Sequence, residues 1–262
     1  MPGIPLKTSH ILSTITVTDS AVKEVLLTLD SSKAAGPGDI CPLLLQNCVA
    51  ELSPVFVELF NNCFKEKTWP KLWKTGRVIP VHKKGLRSEV KNYRPVTLLS
   101  VISKVMERII ADQIKEHLLN NKLLNNRQYG FLKGMSASDL LLILSHKWNK
   151  ALDNNMETRA IALDIAGAFD SVWHKGLIHK LQAFGISGNL LSLLQNYLTD
   201  RDLIVAMNGR ESTHFPIKAG VPQGSLLGPV FWNIYINDLL DAVPDSVAYA
   251  DDCICFLPQR PA

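Results

Sequence analysis

The carboxylates with the most telling surroundings are Asp164 and the neighbours Asp251 and Asp252. Asp164 closes the apolar run Arg159-Ala160-Ile161-Ala162-Leu163, and Asp251-Asp252 lies between Ser246-Val247-Ala248-Tyr249 and Cys253-Ile254-Cys255-Phe256. An apolar run that ends in an acid puts a carboxylate at a strand end with dry residues behind it. Strand ends of one sheet can converge, so acids distant in the chain can share a site without each meeting a cation of the chain. Such a group repels itself unless a divalent ion neutralises it, and hard oxygen donors select Mg²⁺, with Mn²⁺ as a substitute. Two ions about 3.5–4 Å apart would clamp the attacking and leaving oxygens of a phosphoryl transfer. Plain turn chemistry accounts for Asp251-Asp252 as well, because Asp favours turns, and Asp164 with Asp170 can equally be a helix cap.

The elements that must position these acids are legible as periodicity. Val22, Val25, Leu26 and Leu29 predict a helix over about 19–30 with Asp19 as its cap. Pro42 and Pro54 each suit a first helical position, which predicts helices over about 42–51 and 54–67. Arg77 to Val81 reads as a strand that Pro80 confines to an edge. A long helix from Val101 to Leu119, capped by Ser100, and another from Ser138 to Leu152 follow. The run 159–163 reads as a buried strand, with helical patterns over about 168–184 and 188–199. Asn208-Gly209 between Leu203–Met207 and Thr213–Lys218 is a two-residue hairpin signal. Helical periodicity returns between Gly224 and Leu240, ahead of a strand, an acidic turn and a second strand over 246–256.

With 262 residues, 47% hydrophobic and 20% charged, the chain has the composition of a folded protein. Five cysteines without a C-x-x-C pair argue against a disulfide scaffold and a zinc site and favour a reducing compartment. No apolar stretch reaches the ~18 residues of a membrane span, and no signal peptide is visible, so no membrane partner is expected. The net charge of +4 hides an asymmetry: Lys65 to Lys133 holds 16 Lys/Arg against 5 Asp/Glu, leaving 12 against 19 elsewhere. A basic half beside an acidic half suits a polyanion-binding enzyme with carboxylate-held metals, although a solvated basic face reads the same from charge alone.

Beyond these readings, six motifs in order resemble the reverse transcriptase domain of non-LTR (LINE-type, jockey-like) retrotransposon polymerases. They are Gly36-Pro37-Gly38-Asp39-Ile40, Asn92-Tyr93-Arg94-Pro95-Val96, Arg127-Gln128-Tyr129-Gly130-Phe131, Leu163-Asp164-Ile165-Ala166-Gly167-Ala168-Phe169-Asp170, Gly220-Val221-Pro222-Gln223-Gly224-Ser225 and Tyr249-Ala250-Asp251-Asp252. One such motif is weak; six in sequence are specific. The resemblance implies an α+β right-hand polymerase: a flanking segment over 1–29, fingers over 30–157, and a palm over 158–257 whose antiparallel sheet packs on helices. The reverse transcriptase domain as a whole would run over about 61–262. Only ten residues follow Asp252, so the helical thumb of that family is expected to be missing and processive synthesis poor.

By resemblance, Asp164 and Asp251 hold two Mg²⁺ ions, Asp252 supports them, and the Ile165 carbonyl completes one shell. Arg94 grips the triphosphate of an incoming dNTP together with Lys83 or Lys84; sequence does not choose between the lysines, and a solvated surface turn is the plainer reading of either. Phe169 excludes a ribose 2′-hydroxyl, though an aromatic there can equally be core. Gln223 meets the incoming nucleotide, on a segment otherwise read as a loop before a helix. The implied partners are an RNA template, a DNA primer and dNTP, and nuclear action follows from the family alone. The competing reading is a catalytically incompetent remnant that only binds nucleic acid.

Overall fold

A computed structural model describes residues 4–34, 36, 40–165 and 167–260. Pro37-Gly38-Asp39 of the first motif and Ala166 of the fourth lie outside the described residues. The first helix, α1 (Asp19–Leu27), buries Val22 and Leu26 as its periodicity predicts. Its cap is Thr18, whose Oγ1 accepts from the Ala21 amide, and not Asp19. Asp19 instead accepts from Ser53 Oγ and pairs with Lys23 one turn on, still favourable at a helix N-terminus.

Next come α2 (Pro42–Asn47) and α3 (Val49–Glu66). Pro42 sits in the first turn as expected, but α3 begins five residues ahead of Pro54 and carries that proline inside. The missing amide leaves the Ala50 carbonyl without its helical partner. Burial of Phe56, Phe60 and Phe64 along one face, and the Ser53–Asp19 hydrogen bond, hold the turn regardless.

Strands β1 (Thr75–His82) and β2 (Tyr93–Leu98) form an antiparallel hairpin in which Val81 faces Arg94 and His82 faces Tyr93. Contrary to expectation, β1 is an interior strand of a five-stranded sheet. Strand β4 (Arg201–Met207) pairs with β1 over Thr75–Val78 alone, so Pro80 falls where β2 is the sole neighbour and its lack of an N–H costs nothing on the open side. Two helices follow: α4 (Val101–Asn120), capped by Ser100, and α5 (Ala137–Asp153), opened by a Ser136/Asp139 capping box.

Strand β3 (Glu157–Asp164) ends on the candidate aspartate. The predicted helix from 168 starts only at α6 (His174–Ala183), because Ala168–Val172 is a turn bonded to the loop at Gly220. Then come α7 (Gly188–Leu198), β4 (Arg201–Met207), β5 (Arg210–Glu211) and β6 (Phe215–Ile217), the last two both pairing with β4. Asn208 and Gly209 have φ of 52° and 74°, the two positive values of a type I′ turn. Helix α8 (Gly228–Ala242) leads into β7 (Ser246–Tyr249) and β8 (Asp252–Gln259).

The second sheet is antiparallel, in the order β3-β8-β7. As its outer strand, β3 pairs only with β8 and stays exposed, Ile161 by 64%, so the buried strand read from its apolar run is in fact an edge. One large core joins Ile15 and Val22 near the start of the chain to Leu193 of α7 and Ile234 of α8. A smaller one, Tyr129, Leu140, Leu144, Val247 and Phe256, seats α5 on the three-stranded sheet. The architecture is α+β. Among the described residues no helix is long and apolar enough to cross a membrane.

Candidate active site

The register of the three-stranded sheet decides how the acids meet. Asp164 is the direct cross-strand partner of Asp252, and Tyr249 faces Asp252 from the other side. Cross-strand partners share a face, so Asp164 and Asp252 lie side by side at the sheet's end. Asp251 precedes Asp252 in the two-residue turn Ala250–Asp251 that joins β7 to β8. No described Lys, Arg or His forms an ion pair with any of the three, although two like charges face each other directly.

Their oxygen chemistry fits divalent magnesium. Among the described residues no three Asp, Glu, His or Cys side chains are drawn into one closed ligand cluster. Magnesium does not require one, since it is usually held by one or two carboxylates with water and phosphate oxygens supplying the rest. The nearest soft donor is not available: burial, and secondarily Cys255, pushes the Cys253 thiol up, so it stays protonated. The Ile165 carbonyl accepts from the Ala168 amide at 3.1 Å, which leaves one lone pair.

The turn that carries Asp251 is strained and held. Ala250 has φ of 58°, a left-handed conformation that costs a non-glycine residue about 1–2 kcal/mol. Both of its backbone polar groups are taken by buried side chains. Its N–H donates to Gln128 Oε1 at 3.1 Å, and its carbonyl accepts from Gln128 Nε2 at 3.2 Å and from Trp232 Nε1 at 2.8 Å. The motif segment 127–131 runs beside β7, with Tyr129 N donating to Ala248 O and Ala248 N to Arg127 O. Gly130 is there because nothing larger fits: a methyl group on it would lie 2.2 Å from the Ala250 nitrogen.

Phe169 is half-buried, stacked on Trp232 with ring centroids 5.6 Å apart and met edge-on by Phe131 at 5.8 Å. The loop at 220–226 is bonded to the 168–172 turn and to α4. Val221 N donates to Phe169 O, Gly220 N to Val172 O, and Leu226 N to Glu107 Oε2 of α4. Burial pushes the Glu107 carboxyl well above the usual range, against the pull of the neighbouring Arg201. Gln223 is exposed at the rim of a cavity of about 400 Å³ that Asp170, Arg201 and Thr97 also line.

The fingers-type residues sit apart. Arg94, Lys83 and Lys84 are exposed, and no hydrogen bond or ion pair among the described residues joins them to the carboxylates. The hairpin does separate the two lysines. Lys83 N donates to Asn92 O, extending the β1–β2 register by one pair, so Lys83 falls on the same face as Arg94, while Lys84 lies in the bend beyond the paired residues. Thr97 lies opposite Val78, on the face away from Arg94, so Gln223's cavity and Arg94 occupy different sides of the hairpin.

Gln128 stands in the motif 127–131 without an assigned task, and Trp232 lies outside every motif. Their partner is a backbone unit 122 and 18 residues away, which no local pattern reveals.

The site is thus an acidic β-hairpin facing a second acidic strand end, with a glycine-bounded loop alongside. Residues 81–261 match the reverse transcriptase (RNA-dependent DNA polymerase) family, and the chain belongs to it. It is 30% identical over 236 residues to the probable RNA-directed DNA polymerase from transposon BS of Drosophila melanogaster, covering 90% of this chain and 26% of that protein. It is also 30% identical to the RNA-directed DNA polymerase from mobile element jockey of the same species, over 95% of this chain and 27% of the relative. The X-element polymerase is 33% identical over 83% of this chain and 24% of its own length. The chain thus spans about a quarter of the curated relatives it matches.

Proposed function

We propose that this chain carries the catalytic core of an RNA-directed DNA polymerase of a LINE-type element, copying an RNA template by extending a DNA primer with dNTPs. The observation that carries the reading is the Asp164–Asp252 pairing at the sheet end, without an ion pair to any cation among the described residues, in a chain of the reverse transcriptase family. Bound at Asp164, Asp251, Asp252 and the Ile165 carbonyl, two Mg²⁺ ions (or Mn²⁺) would lower the pKa of the primer 3′-hydroxyl and neutralise the pyrophosphate that leaves as the α-phosphorus is attacked.

The chain's own residues do the placing. Arg94 presents a planar guanidinium for the triphosphate, with Lys83 on its face of the hairpin as the companion cation. Phe169, backed by Trp232, would supply the bulky ring that excludes a 2′-hydroxyl. Gln223 would contact the nucleotide from the loop at 220–226, and Arg94, whose strand face points away from that cavity, would reach the triphosphate around the open edge of β2. The division into fingers over 30–157 and palm over 158–257 follows the same reading, and the basic half neutralises template and primer phosphates in a salt-sensitive way.

The test is incorporation of a dNTP on an RNA template annealed to a DNA primer, with and without Mg²⁺. Wild type should incorporate only with the ion, and Asp251→Asn should lose the activity while still binding the hybrid. Hybrid binding without incorporation by wild type would favour the remnant that only binds nucleic acid.

A further inference from the structure

We infer that Gln128 and Trp232 are positioning residues that fix the acidic hairpin through the Ala250 backbone, and that Trp232 also ties this hairpin to the ring of Phe169. The inference rests on the functional reading above and deepens it.

The hairpin tip is the least self-sufficient part of the site. A two-residue turn with a left-handed alanine does not close in its best geometry, since that conformation favours glycine. What holds it is external. Gln128 is 3% exposed and its amide is engaged at both ends: Oε1 accepts from both Ala250 N and Gly130 N, at 3.1 and 2.7 Å, and Nε2 donates to Ala250 O. Trp232, 2% exposed, reaches the same carbonyl from α8. Ala250 is therefore gripped from two elements that are not part of the hairpin. Asp251 follows it directly, so any shift of Ala250 moves the carboxylates relative to Asp164.

Trp232 has a second contact. Its ring stacks on Phe169 at an interplanar angle of 23°. One indole thus bears on the hairpin through its N–H and on the sugar-facing ring through its π face. The two residues should separate in their consequences. Losing Gln128 should disturb the carboxylates alone. Losing the indole N–H should do the same, and losing the indole ring should in addition loosen Phe169 and weaken discrimination against a 2′-hydroxyl.

The experiment is equilibrium binding to the 262-residue chain, with no turnover required. Free Mn²⁺ is followed by electron paramagnetic resonance for wild type, Gln128→Ala, Gln128→Glu, Trp232→Phe and Trp232→Leu, with Asp251→Asn as the control. Competition of Mn·dATP against Mn·ATP reports the sugar preference, and thermal melts show that each variant is folded. Trp232→Phe, which loses one hydrogen bond, should bind Mn²⁺ about tenfold more weakly than wild type, and Gln128→Ala, which loses three, at least as weakly. Gln128→Glu keeps the acceptor for both amides but not the donor, so its loss should be intermediate. Only Trp232→Leu should also narrow the dATP preference. If Asp251→Asn binds Mn²⁺ like wild type, the functional reading itself fails. If Asp251→Asn loses Mn²⁺ while the folded Gln128→Ala and Trp232→Phe variants bind it normally, the positioning role is overturned and the functional reading stands. A preference narrowed equally by Trp232→Phe and Trp232→Leu would overturn the separate role of the ring.

Discussion

Gly130 and Ala250 touch backbone to backbone. A methyl group on Gly130 would lie 2.2 Å from the Ala250 nitrogen and 2.7 Å from its Cα, distances that real side chains do not tolerate. Gly130→Ala must therefore push the segment 127–131 off the acidic hairpin, loosening the Tyr129–Ala248 and Gln128–Ala250 bonds together. We expect a loss of about 1–3 kcal/mol of stability, the usual cost of overpacking. Urea denaturation measures it, and amide exchange at Ala248 and Ala250 should quicken. An unchanged midpoint with unchanged exchange would contradict the contact.

Asp164 and Asp252 face each other with like charge, an arrangement that destabilises a strand pair. Removing one charge should therefore help the metal-free fold. Asp252→Asn is expected to gain up to about 1 kcal/mol without divalent ions. Millimolar Mg²⁺ should raise the melting temperature of wild type but raise that of the variant less, because binding to the native state stabilises it. Melting curves with and without Mg²⁺ check both halves. A variant that is less stable without the ion, or equally stabilised by it, would count against an ion-binding role for this pair.

Much of this site was legible in the sequence, for identifiable reasons. Apolar runs that end in acids report strand ends, and Asn208-Gly209 reports a turn whose two positive φ values few other pairs accept. Val22 and Leu26 announced α1, and Ser100 announced the start of α4, because caps and helical faces are local properties. What failed was set by distant partners. Pro54 reads as a helix start until the half-buried Ser53–Asp19 bond is known to hold the turn before it. Ile161 and Leu163 read as buried until the sheet order leaves β3 at the edge. Strand β2 was hidden by Pro95, which is tolerated because only β1 pairs with it. The facing of Asp164 and Asp252 depends on the register of strands 88 residues apart in sequence, which the motifs imply but cannot count out.

Glu107 should make stability depend on pH. It is buried on α4, accepting from Ser103 Oγ at 3.0 Å and Leu226 N at 2.8 Å, with Arg201 as the charged neighbour. Burial raises its folded pKa above the ordinary 4.5. The protonated form is then favoured by the fold, and the native state binds more protons than the unfolded one across that window. Stability from this group is fully present below about pH 4.5 and falls as pH rises through the folded pKa. Glu107→Gln keeps the shape and one acceptor oxygen but cannot titrate, so its stability should vary less with pH from 4.5 upward. Denaturant midpoints across that range, wild type against variant, decide it. Parallel curves would show that Glu107 keeps its charge in the fold.

Arg127 gathers the chain between α8 and β7. Its guanidinium donates to the carbonyls of Val243 at 2.7 Å and Ser246 at 3.1 Å, and also to those of Leu240 and Pro244. The last carbonyls of a helix have no partner within it, and a cation there also meets the negative end of the helix dipole. A planar fork with five N–H groups can reach four carbonyls at once, whereas an ammonium has three donors on one atom. Arg127→Lys keeps the charge and loses the fork, so we expect it to cost about 1–3 kcal/mol, since an unmade bond leaves a carbonyl to find water or go unpaired. In a protein of this size that is roughly 2–4 °C in melting temperature for each kcal/mol. The backbone bond from Ala248 N to Arg127 O survives the change, so the loss reports the side chain alone. A variant that melts with wild type would mean that positive charge, and not the fork, is what the helix end requires.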